Sequence, residues 1–405
     1  MKKIFLFTHS FPFTLVGETF IEPEIQIAAK LDIELTLVPL YSSSNYIEIP
    51  ANVNINKKLS NITFFKKIII FLKMLTDPLF FNLIFCNKKT FRSWDNFYNS
   101  FKYLYGGLLI KSFLISNKEM FPSGSILYSF WFNYTVLGFA LAKNNCDHFK
   151  TCKFYSRAHR YDLYAENRGI FIPFREKMLN CLDRLFAVSM DGVNYLREEL
   201  PCFSLKIDLG RLGIIPLINN IKDKESKKVD ISLISCSNVI PLKRTSLIFK
   251  SINLFCEENP QLKVSWIHIG DGIEMKILKE LVNTEKTFNL TVNLTGYKFM
   301  SEIMEILTHN EFDAFINLSL SEGLPVTLMM AISAGIPLIA TDAGGTKEIV
   351  TRETGCLLPV SFSQEEFSKA VLFCVNNEEL RKSCHSFFLE NFSAIKNYSD
   401  FYQRL

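Results

Sequence analysis

Residues 319–345 read Ser-Leu-Ser-Glu-Gly-Leu-Pro-Val-Thr-Leu-Met-Met-Ala-Ile-Ser-Ala-Gly-Ile-Pro-Leu-Ile-Ala-Thr-Asp-Ala-Gly-Gly, joining an acidic turn, a helix and a buried strand in one unit. The preceding residues 313–318 are apolar and strand-like. Glu322-Gly323 supplies a turn, and Pro325 suits the first helical position, where its missing N–H costs nothing. Unpaired backbone amides from Gly323 through Leu324 to Val326 then point out of a positive helix end beside a carboxylate, a setting that suits a diphosphate carrying a hydroxyl-rich group. Gly335-Ile336-Pro337 ends the helix, 338–340 is a buried strand, and Gly344-Gly345 lets the backbone pass close to a ligand.

Working outward, the same alternation recurs along the chain. Apolar strand-like runs at 3–8, 34–38, 126–130, 153–157 and 184–188 are each followed by a helix-length segment, the grammar of a parallel sheet with crossovers. Apolar content disappears in Ile221-Lys-Asp-Lys-Glu-Ser-Lys-Lys228. The pattern then restarts at 229–235, 263–269, 290–294, 313–318 and 338–340. The expectation is two Rossmann-like α/β domains, 1–220 and 229–385, joined by a linker at 221–228. Ligands of such sheets sit outside the carboxyl ends of the strands.

The 319–345 stretch resembles the signature of the family-four retaining glycosyltransferases of the GT-B fold, nearest to the subgroup that builds bacterial capsular and O-antigen polysaccharides. That resemblance implies two Rossmann-like domains facing across a cleft, the first binding an acceptor and the second a nucleotide sugar, with a terminal helix at 386–405 crossing back to the first domain. In the family pattern a first Glu contacts the donor sugar and a second, eight positions on, holds the nucleotide ribose. Glu322 matches the first; Met330 stands at the second and cannot do the ribose work.

Other implied site residues follow from the same resemblance. Lys243 and Arg244, after the first strand of the second domain, would neutralise the departing diphosphate. An Arg that the family places about six residues earlier is replaced by Ser237 or Asn238. His159 closes a first-domain strand in Tyr155-Ser-Arg-Ala-His-Arg-Tyr-Asp162, where the family has His-Gly-Tyr-Asp and its His reaches the donor sugar; Arg160 takes the place of that Gly. A buried, satisfied imidazole is the bland reading of His159. Gly17, in the loop 9–20, would allow close diphosphate approach, although a plain strand-helix connection fits equally. Gly296, Tyr297 and Lys298 stand where the family grips the base, and Gly323, Leu324, Pro325, Gly344 and Gly345 complete the donor set.

Composition narrows the function classes. A chain of 405 residues is long enough for two cores, and a mean hydropathy of +0.14 with 38 Phe fits a well-buried α/β protein. The net charge is only +4, but residues 57–118 hold eleven Lys or Arg against Asp77 and Asp95, interleaved with ten Phe. This suits contact with an anionic membrane surface; two amphipathic helices with Phe inward and Lys outward fit the same residues. No nucleic-acid module accompanies the basic stretch, so nucleic acid is not expected as a partner.

Ten Cys without a C-x-x-C pair and six scattered His give no expectation of zinc or any other metal. No signal peptide is legible, and the uncharged run 120–142 divides into a strand and a helix better than it spans a bilayer. Gly270-Asp-Gly272 lacks a third Gly, with Met275 in its place, so a nicotinamide fingerprint is poorly supported.

The resemblance therefore implies a metal-independent, cofactor-free retaining glycosyltransferase, cytoplasmic or peripheral at the inner membrane face. It would pass a sugar from a nucleotide diphosphate to a glycan or lipid-linked oligosaccharide. Met330 keeps open a degenerate homologue that binds a glycan or partner without turnover. A nucleotide-sugar epimerase on the same fold lacks an evident acid/base cluster.

Overall fold

The computed structural model describes residues 2–13, 18–85, 88–164, 171–216, 230–309 and 311–405, so the 221–228 linker and Gly17 lie outside the described residues. The chain forms two compact units, Met1–Arg211 with Tyr398–Leu405, and Leu212–Asn397.

The first unit is built on a wholly parallel seven-stranded sheet. Its strands are β1 (Lys2–Thr8), β2 (Ile33–Pro39), β3 (Asn54–Ile55), β4 (Ile126–Ser129), β5 (Lys153–Ala158), β6 (Arg184–Ala187) and β7 (Ile207–Leu209), in the order β3-β2-β1-β4-β5-β6-β7. The central strands read as near-continuous apolar runs because helices cover both faces. Phe7 of β1 meets Phe139 edge-on at 5.0 Å and Phe121 at 6.4 Å, inside the core that β1 shares with the helices Trp94–Ser116 and Tyr134–Asn145. These two helices pack without room for side chains at their crossing: a Cβ on Gly138 would stand 2.3 Å from that of Ile110. The run 120–142 becomes β4 and the helix Tyr134–Asn145, and no helix among the described residues is long and apolar enough to cross a membrane.

The second unit carries a six-stranded parallel sheet of β8 (Asp230–Cys236), β9 (Lys263–Ile269), β10 (Leu290–Leu294), β11 (Ala314–Asn317), β12 (Leu338–Thr341) and β13 (Gly355–Leu358), ordered β10-β9-β8-β11-β12-β13. Counted within the unit this is 3-2-1-4-5-6, the doubly wound order whose topological switch point lies between its first and fourth strands, here β8 and β11. The expected strand 229–235 is described from Asp230 onward, as β8.

The last helix, Ala394–Arg404, starts in the second unit and ends in the first. Its Phe401 ring lies 4.1 Å from the Arg157 guanidinium, and Tyr402 donates to Glu24 Oε1 at 3.2 Å. Arg157 and Glu24 form an ion pair at 2.5 Å with both side chains wholly buried. The chain end is also tied in, since Tyr155 donates to the Leu405 carbonyl at 3.2 Å.

Candidate active site

At the carboxyl end of β8, the loop turns through Pro241–Lys243, and Arg244 takes the left-handed conformation (φ 49°, ψ 42°) before the helix Thr245–Glu258. A side chain in that region costs about 1–2 kcal/mol. The guanidinium compensates by donating to the carbonyls of Leu318 (2.5 Å) and Val360 (2.9 Å). Arg244 therefore ties the β8 loop to the β11 and β13 loops, while its Nη2 is buried with no partner among the described residues. Burial holds its pKa below the usual guanidinium value.

Lys243 points elsewhere. Its Nζ lies 2.5 Å from Glu322 Oε1, and Asn317 Nδ2 donates to the same oxygen at 3.2 Å. The two side chains are 21% and 7% exposed, which makes this a partly desolvated pair rather than a surface one. Both donors, Lys243 and Asn317, meet the same carboxylate oxygen, Oε1. Lys243 and Glu322 thus leave β8 and β11 on either side of the switch point, where an open parallel sheet makes its ligand crevice. Of the two cations named from the sequence, Lys243 faces the carboxylate and Arg244 braces backbone.

Glu322 is set by contacts that local sequence does not reveal. Asn317, the last residue of β11, also accepts the Ser319 amide at 3.1 Å, and Thr341 ends β12 by donating to the Ser319 carbonyl at 2.6 Å. The Gly345 amide donates to the Gly323 carbonyl at 2.9 Å. Gly344 (φ 58°) lies so close that a Cβ would meet the Glu322 carbonyl oxygen at 2.1 Å. The two ends of the 319–345 stretch are therefore one backbone assembly.

Pro325 sits at the N-cap with extended backbone, and the helix runs Val326–Ser333, one residue later than expected. Its opening amides have no acceptor within the helix. Gly323, Leu324 and Pro325 are buried beside them. Met330 is also wholly buried, so its side chain reaches no solvent-filled space. The neighbouring loops interlock as well: the Gly270 amide donates to the Gly296 carbonyl at 2.9 Å, and Gly296 takes a φ of 74°. Tyr297 is half-exposed, and Lys298 pairs with Glu302 at 2.9 Å.

The first unit has its own cluster at the carboxyl ends of β1, β4 and β5. Glu18, missed in the sequence, accepts the amides of His9 (2.9 Å), Ser10 (2.6 Å) and Phe11 (2.8 Å) and the Trp131 indole N–H (2.5 Å). An acidic residue soon after a Ser-containing strand end was the available signal. His159 follows β5 directly, with its ring 4.6 Å from both Phe130 and Trp131. Both imidazole nitrogens are buried without a partner among the described residues. Burial, reinforced by the charge of Arg157, pushes its pKa well below the ordinary value and keeps it neutral. Asp162 accepts the Phe132 amide at 2.7 Å and the His159 amide at 2.5 Å, and burial raises its pKa to about 7. Arg160 opens the short helix Arg160–Leu163 with its guanidinium 5.8 Å from the Tyr161 ring. No group of three or more His, Cys, Asp or Glu among the described residues could hold a metal ion.

Comparison with known proteins bears on this geometry. Residues 218–387 match the family model described as glycosyl transferases group 1. A UDP-N-acetylglucosamine–peptide N-acetylglucosaminyltransferase GtfA subunit of Streptococcus pneumoniae is 27% identical over 186 residues, 45% of this chain and 35% of that protein. The UDP-Gal:alpha-D-GlcNAc-diphosphoundecaprenol alpha-1,3-galactosyltransferase of Escherichia coli is 24% identical over 240 residues, covering 53% of this chain and 58% of its own. The chain thus spans about a third of the first relative and somewhat over half of the second. Among solved structures, TarM of S. aureus, in complex with Fondaparinux, alpha-GlcNAc-glycerol and UDP, superposes with a TM-score of 0.67 over 100% of this chain and 99% of its own, at 15% identity.

Proposed function

We propose that this chain, of GT-B fold and with residues 218–387 matching the glycosyl transferases group 1 model, is a metal-independent retaining transferase. It would pass a sugar from a nucleotide diphosphate to a glycan or lipid-linked acceptor in cell-surface polysaccharide synthesis. The observation that carries this reading is the Lys243–Glu322 pair at the switch point of the second sheet, beside the opening amides of the helix Val326–Ser333. A diphosphate there would meet the Lys243 ammonium and the helix dipole, and a sugar hydroxyl would donate to the Glu322 carboxylate. The leaving diphosphate would then take the acceptor proton on the face it departs from, so the configuration is kept. Gly296, Tyr297 and Lys298 are proposed to hold the base, and the neutral imidazole of His159 to bond a substrate hydroxyl. The name of the E. coli relative contains a diphosphoundecaprenol acceptor, in keeping with a lipid-linked acceptor here.

The basic, Phe-rich region supports work at the inner membrane face. Phe64 and Phe65 are 75% and 78% exposed on the helix Phe64–Leu75, so these rings do not turn inward as the two-amphipathic-helix reading required.

The buried Met330 favours a second reading, a homologue that binds without turnover, because no carboxylate reaches a ribose from that position. A panel of nucleotide sugars, screened by thermal shift and then by transfer, separates the two. Binding with sugar release supports the transferase. No binder in the panel sinks it, and a binder without transfer to any glycan or lipid acceptor favours the second reading.

A further inference from the structure

Two cavities open side by side on the first unit, and both use the helix Trp94–Ser116 as a wall. Trp94, Phe97 and Phe101 recur at helical spacing and face Phe64, Ile68 and Phe71 across an apolar groove of about 540 Å³. One step round the same helix, Asp95 and Asn99 turn to a second cavity of about 380 Å³, whose other walls include Trp131, Tyr134, Tyr161 and Asp162. Tyr98 and Lys102 line both. The volumes fall within the ~300–1,000 Å³ of small-molecule sites.

The chemistry changes sharply across that shared wall. Among the described residues the groove's lining has no carboxylate, and its charged side chains are Lys67 and Lys102. Its rim is greasy and open, with Trp94 79% exposed, a degree of apolar exposure that marks a binding surface. The second cavity offers flat aromatic faces beside carboxylate and amide groups, the complement of a sugar ring with its C–H faces and hydroxyls. Lys102 stands at the junction, close enough to the carboxyl end of β1 to act electrostatically on His9, whose pKa is lowered chiefly by burial, a shift that Lys102 reinforces against the opposing effect of Glu18.

The geometry points to one amphiphile spanning both cavities: a hydrocarbon chain in the groove, its phosphate on Lys102 and Lys67, and the sugar it carries in the polar cavity. This rests on the lipid-linked-acceptor reading above and adds where the lipid chain lies. A flat membrane contact would require neither the groove nor its junction with a polar cavity.

The test titrates the full chain with farnesyl diphosphate by calorimetry, with inorganic pyrophosphate and farnesol as half-ligands. Ile68→Glu, at a position 40% exposed in the folded chain, serves as the groove variant. Farnesyl diphosphate is expected to bind at least roughly tenfold more tightly than either half-ligand, since each buried methylene adds about 0.8 kcal/mol and 1.4 kcal/mol is tenfold. Ile68→Glu should remove that advantage while leaving UDP binding unchanged. Equal affinity for pyrophosphate and farnesyl diphosphate overturns the proposal. So does an Ile68→Glu protein that loses phosphatidylglycerol vesicles yet keeps farnesyl diphosphate, which would leave only a membrane-facing patch. UDP binding and sugar transfer, measured on the same samples, separate the two claims. Chain-dependent binding without nucleotide binding sinks the transferase and keeps the groove; transfer without chain selectivity sinks the groove alone.

Discussion

Gly344 and Glu322 touch backbone to backbone, with the Glu322 carbonyl oxygen standing 2.1 Å from where a Gly344 Cβ would be. Gly344→Ala therefore has to move the segment that carries the Glu322 carboxylate, in addition to bearing a φ of 58°. A loss of about 2–4 kcal/mol in urea unfolding is expected, with transfer nearly abolished. Gly296→Ala is the control: its φ is also positive, but no atom lies within 4 Å of the added methyl, so the cost should stay near 1 kcal/mol. Equal effects at the two positions would show that backbone strain, not the contact with Glu322, decides the outcome.

Lys243→Ala and Glu322→Gln should each lower turnover by about 10²–10³ while circular dichroism and gel filtration remain those of the wild type. Because the two side chains share one contact at 2.5 Å, the double variant should fall far short of the product of the single losses. Multiplicative losses would mean that the two groups work independently.

The buried Arg157–Glu24 pair makes a stability prediction for the first unit. Arg157→Met strands a wholly buried carboxylate whose remaining donor is Tyr402, and a cost of about 3–5 kcal/mol is expected in denaturant. Adding Glu24→Leu should recover much of the loss, since it removes the stranded charge. A double variant as unstable as the single would show that the packing of the guanidinium against Phe401, and not charge burial, was the main contribution.

His159 makes a pH prediction. Its folded pKa is depressed by burial and by Arg157, so the unfolded chain binds the proton first as pH falls below about 6.5. Its contribution is present above that value and is lost on acidification, at up to about 1.4 kcal/mol per pH unit for the one proton. The melting temperature of His159→Phe should therefore fall less steeply than that of the wild type between pH 6.5 and 5. Parallel curves would mean that the imidazole takes up its proton in the folded state.

Ten strands were legible from their apolar runs, each within a residue or so of the observed bounds. The three that were not, Asn54–Ile55, Ile207–Leu209 and Gly355–Leu358, all lie at sheet edges. An edge strand is short and keeps one side half-exposed, so it lacks the continuous apolar run by which a buried parallel strand is recognised. Lys243 and Glu322 could each be named from the sequence, but their contact joins residues 79 apart and depends on strand order. Asn317 and Glu18 were missed for a different reason: most of their partners are near in sequence, in turns whose backbone path an apolar pattern does not give, and the Trp131 contact of Glu18 alone depends on strand order. The direction of the Phe rings at 64 and 65 was undecidable because Lys66, Lys67 and Lys73 interrupt an otherwise apolar run and leave apolar residues on more than one face, and only the packing of neighbouring helices settles which side faces out.

The closing turns of the chain have a consequence for its synthesis. Tyr398, Phe401, Tyr402 and Leu405 are all buried and belong to the first unit, whose other residues end at Arg211. At ~5–20 residues per second, the intervening segment takes roughly 10–40 s to emerge from the ribosome. Throughout that delay the Arg157–Glu24 pair lacks Tyr398, Phe401 and Tyr402 and keeps the rings of Tyr128 and Phe130. The nascent first unit is thus an unfinished body with a charged, greasy scar, and the second unit, translated later, can mature before it.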